Sequence, residues 1–153
     1  MIKKLKRTPE TAVLATILSA IVLCPIQARA QNPTDILIIV NKSSKIKQIS
    51  MDELRDIFLL KRNSWKNGGK VIPIHNREGS ESRAAFRKRI LNMSSSQEKT
   101  YWQERKIKAG VTAPVDFGNT QKAVFKLKGA VSYVYRSQFK EGATKIIMVV
   151  PAP

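Results

Sequence analysis

Val71-Ile72-Pro73-Ile74-His75-Asn76-Arg77-Glu78-Gly79-Ser80-Glu81-Ser82-Arg83 is the stretch on which the fold turns. A short β-branched run at Val71–His75 reads as a strand, with Pro73 pointing to an irregular or edge position because it has no N–H to donate. Gly79-Ser80 then opens a helix whose apolar stripe is Phe86, Ile90 and Met93. A strand that passes through a glycine into a helix start is where open α/β folds bind ligands. The free amides of residues 80–83 and the helix dipole would favour a small oxyanion there. Ser80 and Ser82 offer hydroxyls, Arg77 a bidentate charge, and Gly79 close backbone approach.

Strands and helices alternate on both sides of this stretch. Upstream, Asp35-Ile-Leu-Ile-Ile-Val40 is a continuous apolar run of the kind buried on both faces of a sheet. Ser50-Met51-Asp52-Glu53 has the form of a capping box and starts a helix with Met51, Leu54, Ile57 and Phe58 on its inner side. Asn67-Gly68-Gly69 turns the chain into the second strand. Downstream, Ser94-Ser95-Ser96-Gln97-Glu98 holds two overlapping capping boxes for a helix to about Lys108, stopped by Gly110. Asn119-Thr120 caps a short helix through Lys128, closed by Gly129, and strands follow at Ala130–Tyr135 and Thr144–Val150. This order predicts an α/β three-layer sandwich with a mixed, mostly parallel sheet.

The first residues carry Lys3, Lys4, Lys6 and Arg7, then an apolar run from Thr11 to Cys24, then Ala28-Arg29-Ala30. That is the pattern of a cleaved signal peptide over 1–30, giving a periplasmic or secreted domain at 31–153. The apolar run is shorter than the roughly 20 residues of a spanning helix, which argues against a permanent membrane anchor. Cys24, the sole cysteine, lies between Leu23 and Pro25, a poor setting for lipidation, and leaves with the signal. Those thirty residues hold five Lys or Arg and one acid, Glu10. Taking them from 28 Lys+Arg and 11 Asp+Glu leaves 123 residues at a net charge of +13. Such a field attracts anions, from phosphate to acidic proteins and envelope polyanions.

Leu54-Arg55-Asp56-Ile57-Phe58, Trp65, Val71-Ile72-Pro73-Ile74, Arg77-Glu78-Gly79-Ser80-Glu81-Ser82-Arg83-x-x-Phe86, and Gly129-Ala130-Val131-Ser132-Tyr133-Val134 together resemble the phosphate-binding subunits of ABC importers. The resemblance covers about residues 48–135 and is greatest to short relatives in the type 2 periplasmic-binding superfamily, to which the Trp102 and Gly110 segment is also similar. It implies one lobe of such a protein, with Arg77, Ser80 and Ser82 on positions that contact phosphate. Within the family's Arg-x-x-Ser-Gly-Thr core, Glu81 stands in for the glycine and Ser82 for the threonine. The Glu81 carboxylate suits a helix start but opposes an anion held at the same amides, and Glu78 adds a second negative charge.

The ligand-binding candidates are therefore Arg77, Gly79, Ser80, Glu81 and Ser82, for phosphate or a similar small anion, with no cofactor. One lobe leaves such a ligand half solvated. Micromolar affinity needs about 8 kcal/mol, so a membrane transporter or a second protein is expected to close the cleft. Catalysis would rest on His75, the only histidine, with Ser80 or Ser82 as nucleophile and Asp116 or Glu78 as orienter. The sequence has no nucleophile-elbow glycine pattern and no cluster at metal-ligand spacing, so a non-catalytic binding protein is expected, with His75 hydrogen-bonded to its own loop. The alternative uses the basic residues Arg83, Arg87, Lys88, Arg89, Arg105, Lys106, Lys108, Lys122, Lys126 and Lys128 to hold polyanions or an acidic protein. Specific nucleic-acid binding is not expected, because Tyr101, Trp102 and Phe125 read as core and not as stacking platforms.

Overall fold

The computed structural model describes residues 31–153, and the signal-peptide assignment to 1–30 lies outside them. The elements run β1 (Ile36–Asn41), α1 (Met51–Phe58), β2 (Ile72–Asn76), α2 (Glu81–Phe86), a π-helical turn (Arg87–Leu91), α3 (Ser95–Ala109), β3 (Val115–Phe117), α4 (Thr120–Lys126), β4 (Ala130–Tyr135), a 3-10 turn (Arg136–Gln138) and β5 (Thr144–Val150).

The strands form one mixed sheet in the order β3-β2-β4-β1-β5. β2 pairs parallel with both β3 and β4, while β1 pairs antiparallel with both β4 and β5. Four strands thus point one way and β1 alone runs against them. Alternate residues of β1 face opposite sides, as its apolar run predicts. Ile36, Ile38 and Val40 join Leu54, Ile57, Phe58, Phe86 and Ile90 of α1, α2 and the turn after it. Leu37 and Ile39 join Ala123 and Val124 of α4 on the other face. The result is the expected three layers.

Pro73 fits its place by a local vacancy on one side of β2. Ile72 donates its N–H to Gly129 on the β4 side. Backbone groups alternate along a strand, so position 73 faces the β3 side, and β3 begins pairing only at Ile74. The missing N–H therefore costs no ladder bond. β3 itself has no counterpart in the sequence reading: three residues are too few to display an alternation.

The caps follow the sequence with one departure. Ser94 and Gln97 close a full capping box at α3, and Gly110 ends that helix at φ 65°. At α1, Ser50 accepts from the Glu53 amide at 3.2 Å. The Glu53 carboxylate does not reach back to Ser50. It pairs with Arg62 at 2.9 Å and Lys66 at 3.3 Å, charged partners that outcompete a single amide. At the far end of the sheet, the Asp35 carboxylate accepts from the Ala152 N–H at 2.9 Å and from Arg136 at 3.2 Å.

Candidate functional site

The C-terminal end of β2, the starts of α2 and α4, and the loop after the 3-10 turn enclose a pocket of about 490 Å³. Arg77, Ser80 and Ser82 line it. Asn76, Asn119 and Thr120 line it too, and the sequence reading did not assign them to a site; Lys122, which it placed in the basic stripe, is a further lining residue. The Asn119-Thr120 cap was visible as a helix start, but only the parallel alignment of β2 with β4 brings it opposite Ser80.

Each serine has a defined setting. Ser80 caps α2: its Oγ accepts from the Arg83 amide at 3.3 Å and donates to the Arg77 carbonyl at 2.8 Å. Ser82 is buried, and its Oγ accepts from the Asn76 side-chain amide at 2.9 Å. Asn119 caps α4 by accepting from the Lys122 amide at 2.9 Å. Ser80 and Asn119, the N-caps of α2 and α4, thus line the same pocket. Arg77 is exposed at the rim, beside Gly118, where a Cβ would come within 3.4 Å of the Arg77 guanidinium.

Gly79 does not line the pocket. Its φ of 83° makes the turn that brings Ser80 onto α2. Glu81 is exposed and lies outside the lining, so its contribution to the site is the helix start, while its carbonyl accepts from Tyr135. Glu78 turns away from the pocket into a network with buried arginines. It pairs with Arg83 at 3.2 Å and with Arg87, while Glu98 pairs with Arg83 at 2.6 Å and with Arg87. Burial pushes the Glu78 carboxyl up, but the hydrogen bonds and charges of Arg87 and Arg83 outweigh it and hold the group below its usual range. The electrostatic objection to an anion from Glu78 is thus largely removed.

The same network corrects the basic stripe read from the sequence. Arg83 and Arg87 are buried ion-pair members and not a solvated face. Phe125, expected in the core, is 54% exposed beside Lys122 and Lys126. Tyr101 is only partly buried and donates its hydroxyl to the Leu59 carbonyl at 2.8 Å.

His75 is fully buried and does not bond to its loop. Its Nδ1 lies 3.1 Å from the Tyr133 hydroxyl and accepts from Arg83, and its Nε2 has no hydrogen-bond partner. Phe58 packs against the ring at 5.0 Å between centroids. Neither Ser80 nor Ser82 bonds to it, so the serine–histidine pair needed for catalysis does not form. Burial pushes the Tyr133 hydroxyl up to about 12. Burial, aided by Arg83 and Arg87, holds His75 well below its ordinary 6.5. The unfolded chain therefore takes up a proton near 6.5 that the folded chain refuses. Stability is expected to be full above that pH and to fall below it by up to about 1.4 kcal/mol per pH unit. Urea unfolding at pH 7.5 and 5.5 measures this, and equal midpoints would contradict it.

No family model and no curated protein matches the chain. Solved structures do. A phosphate ABC transporter substrate-binding protein from Clostridium perfringens, with bound phosphate, aligns at a TM-score of 0.53 and 20% identity over 69% of this chain. An ABC-type phosphate transport receptor from Vibrio cholerae aligns at 0.57 and 15% over 73%. The fold is that of one lobe of such a receptor. The lobe covers 41% and 44% of those two chains, less than half of either. Among the described residues, no helix of the chain is long and apolar enough to cross a membrane.

Proposed function

We propose that the chain is an exported, non-catalytic solute-binding protein that takes phosphate or a similar small oxyanion into this pocket, as an accessory to phosphate transport. The observation that carries the reading is the lining itself. Arg77, Lys122 and Lys140 meet there against a single carboxylate, Glu141, with the Ser80 and Ser82 hydroxyls and two helix starts on the same space. The likeness in fold to a receptor that holds phosphate supports it, and export rests on the sequence of residues 1–30. Arg77, Lys122, Lys140 and Glu141 of the lining are exposed to solvent, so a transporter or a second protein is the expected partner that completes the enclosure.

Calorimetric titration with phosphate and sulfate at two salt concentrations tests the reading. Arg77→Ala should weaken binding about tenfold to a hundredfold, the scale of a lost charge-assisted hydrogen bond. Failure of either anion to bind at millimolar concentration would sink the proposal, and unchanged affinity in Arg77→Ala would move the site elsewhere. One observation favours a second reading. Lys122, Lys126 and Lys128 stay exposed around Phe125 and belong to no ion pair among the described residues, a surface suited to an anionic polymer. Steeply salt-dependent binding to polyanions without a response to small anions would select it.

A further inference from the structure

Asn76, the last residue of β2, touches both walls of the pocket, and its side chain is about nine-tenths buried. Its orientation is dictated by its neighbours. The main-chain oxygen of Tyr133 lies 3.0 Å from one end of the carboxamide and can only accept, so that end is the NH2. The same NH2 donates to Ser82 Oγ at 2.9 Å, on α2. The other end accepts from the Thr120 hydroxyl at 2.9 Å, on α4. The Asn76 backbone N–H also donates to the Tyr133 hydroxyl at 3.4 Å, which fixes the residue from behind.

These bonds set the polarity of two hydroxyls. Ser82 Oγ accepts from a group that cannot accept in return, so its own hydrogen must go elsewhere. Ser80 Oγ, 3.5 Å away, is at the limit of reach, and its own hydrogen goes to the Arg77 carbonyl. Ser82 lines the pocket, so an oxyanion held there would be a stronger acceptor for its hydrogen than Ser80. Thr120 is the reverse case: its hydrogen is used by Asn76, so only lone pairs remain.

We propose that Asn76 is the positioning residue of the anion site, turning the Ser82 hydroxyl into a donor for the bound oxyanion while clasping the start of α4 to the start of α2. This rests on the pocket being the anion site. Asn76→Asp keeps the size but presents only lone pairs, so Ser82 turns its hydrogen inward and a negative charge appears behind the pocket. Inorganic phosphate should then bind at least tenfold more weakly at pH 7. Sulfate, whose charge is constant over the weakly acidic range, should bind the variant better as pH falls and the new carboxyl regains a donor. His75 and Tyr133 lie behind this position, Arg83 on α2, Glu78 beyond it, and Arg77 and Lys122 at the pocket. The wild-type sulfate profile measures what those groups contribute, and it should not show the recovery.

Ser82→Ala should also weaken phosphate binding, and combining it with Asn76→Asp should cost less than the product of the two losses, because one acts through the other. Should Asn76→Asp not fold, Thr120→Val frees one end of the carboxamide and is expected to lower phosphate affinity several-fold. Losses that multiply independently, a variant deficit that is the same at every pH, or a Thr120→Val protein with wild-type affinity would each overturn the role of Asn76. A wild-type protein that binds neither anion would overturn it together with the site on which it depends.

Discussion

Glu98→Ala is expected to destabilise the domain by about 3–5 kcal/mol, the usual cost of removing one side of a buried ion pair. Glu98 is 4% exposed and accepts from two guanidinium groups, Arg83 and Arg87, which are themselves buried. Without it, Glu78 is the carboxylate left to both cations, and its side chain is 57% exposed. Solvent screening weakens that second carboxylate, so Glu78→Ala should cost distinctly less. Glu98→Gln keeps the shape and one acceptor and should fall between the two. Urea denaturation provides the measurement: the midpoint should move while the slope stays constant. A Glu98→Ala protein within about 1 kcal/mol of wild type would show that the arginines find water or other acceptors. Because the Arg83 amide is bonded to Ser80, loss of the network should also loosen the start of α2.

Gly129→Ala should be nearly as damaging, at about 3 kcal/mol or more, for a different reason. Gly129 has φ 87°, and a Cβ there would lie 2.4 Å from the Lys70 carbonyl oxygen, backbone against backbone. Neither side is free to retreat, because the Gly129 carbonyl accepts from Ile72 at 3.1 Å as β2 and β4 begin to pair. Relief of the clash would part the two strands that carry the pocket. Gly110 is the control. It too has positive φ, at 65°, but open space surrounds its Cβ position. Gly110→Ala should therefore lose only the conformational preference, about 1–2 kcal/mol. Thermal melts of the two variants side by side distinguish clash from backbone strain, and equal losses would refute the distinction.

Much of the architecture could be read from residues because it is set locally. The β1 run, the Ser50, Ser94 and Asn119 caps, and Gly110 and Gly129 as helix stops each act over a few positions, and the elements they bound appear within a residue or two of expectation; the exception is α2, which ends at Phe86 and leaves Ile90 in the π-helical turn and Met93 beyond it. What could not be read depends on distant partners. β3 exists because three residues lie beside Ile74–Asn76, not because Val115-Asp116-Phe117 has a strand-like pattern. Arg83 and Arg87 look like surface charge until α3 brings Glu98 against them.

The pocket lining divides along the same line. Arg77, Ser80 and Ser82 share one strand-to-helix turn, so a local reading can group them. Asn76 is a neighbour of Arg77 in that turn, yet its value lies in contacts 44 and 57 residues away, with Thr120 and Tyr133. The pairing of His75 with Tyr133 and Arg83 is hidden for the same reason. A strand-end histidine before a loop looks local, and only the sheet places β4 beneath it.

Asp35 has a practical meaning for handling the protein. Because β1 runs against its neighbours, Ile36 lies opposite both Tyr135 and Val150, and the Asp35 carboxylate ties Arg136 and Ala152 to that corner. A fluorophore, affinity tag or surface tether joined near Asp35 or Ala152 therefore emerges at the pole of the sheet where β2 and β4 end. The Arg136–Gln138 turn, whose Gln138 lines the pocket, starts at the same corner. Immobilising the domain through either position would crowd the approach to the pocket, so labels are better carried at the opposite pole, for example at Lys42 or Lys70.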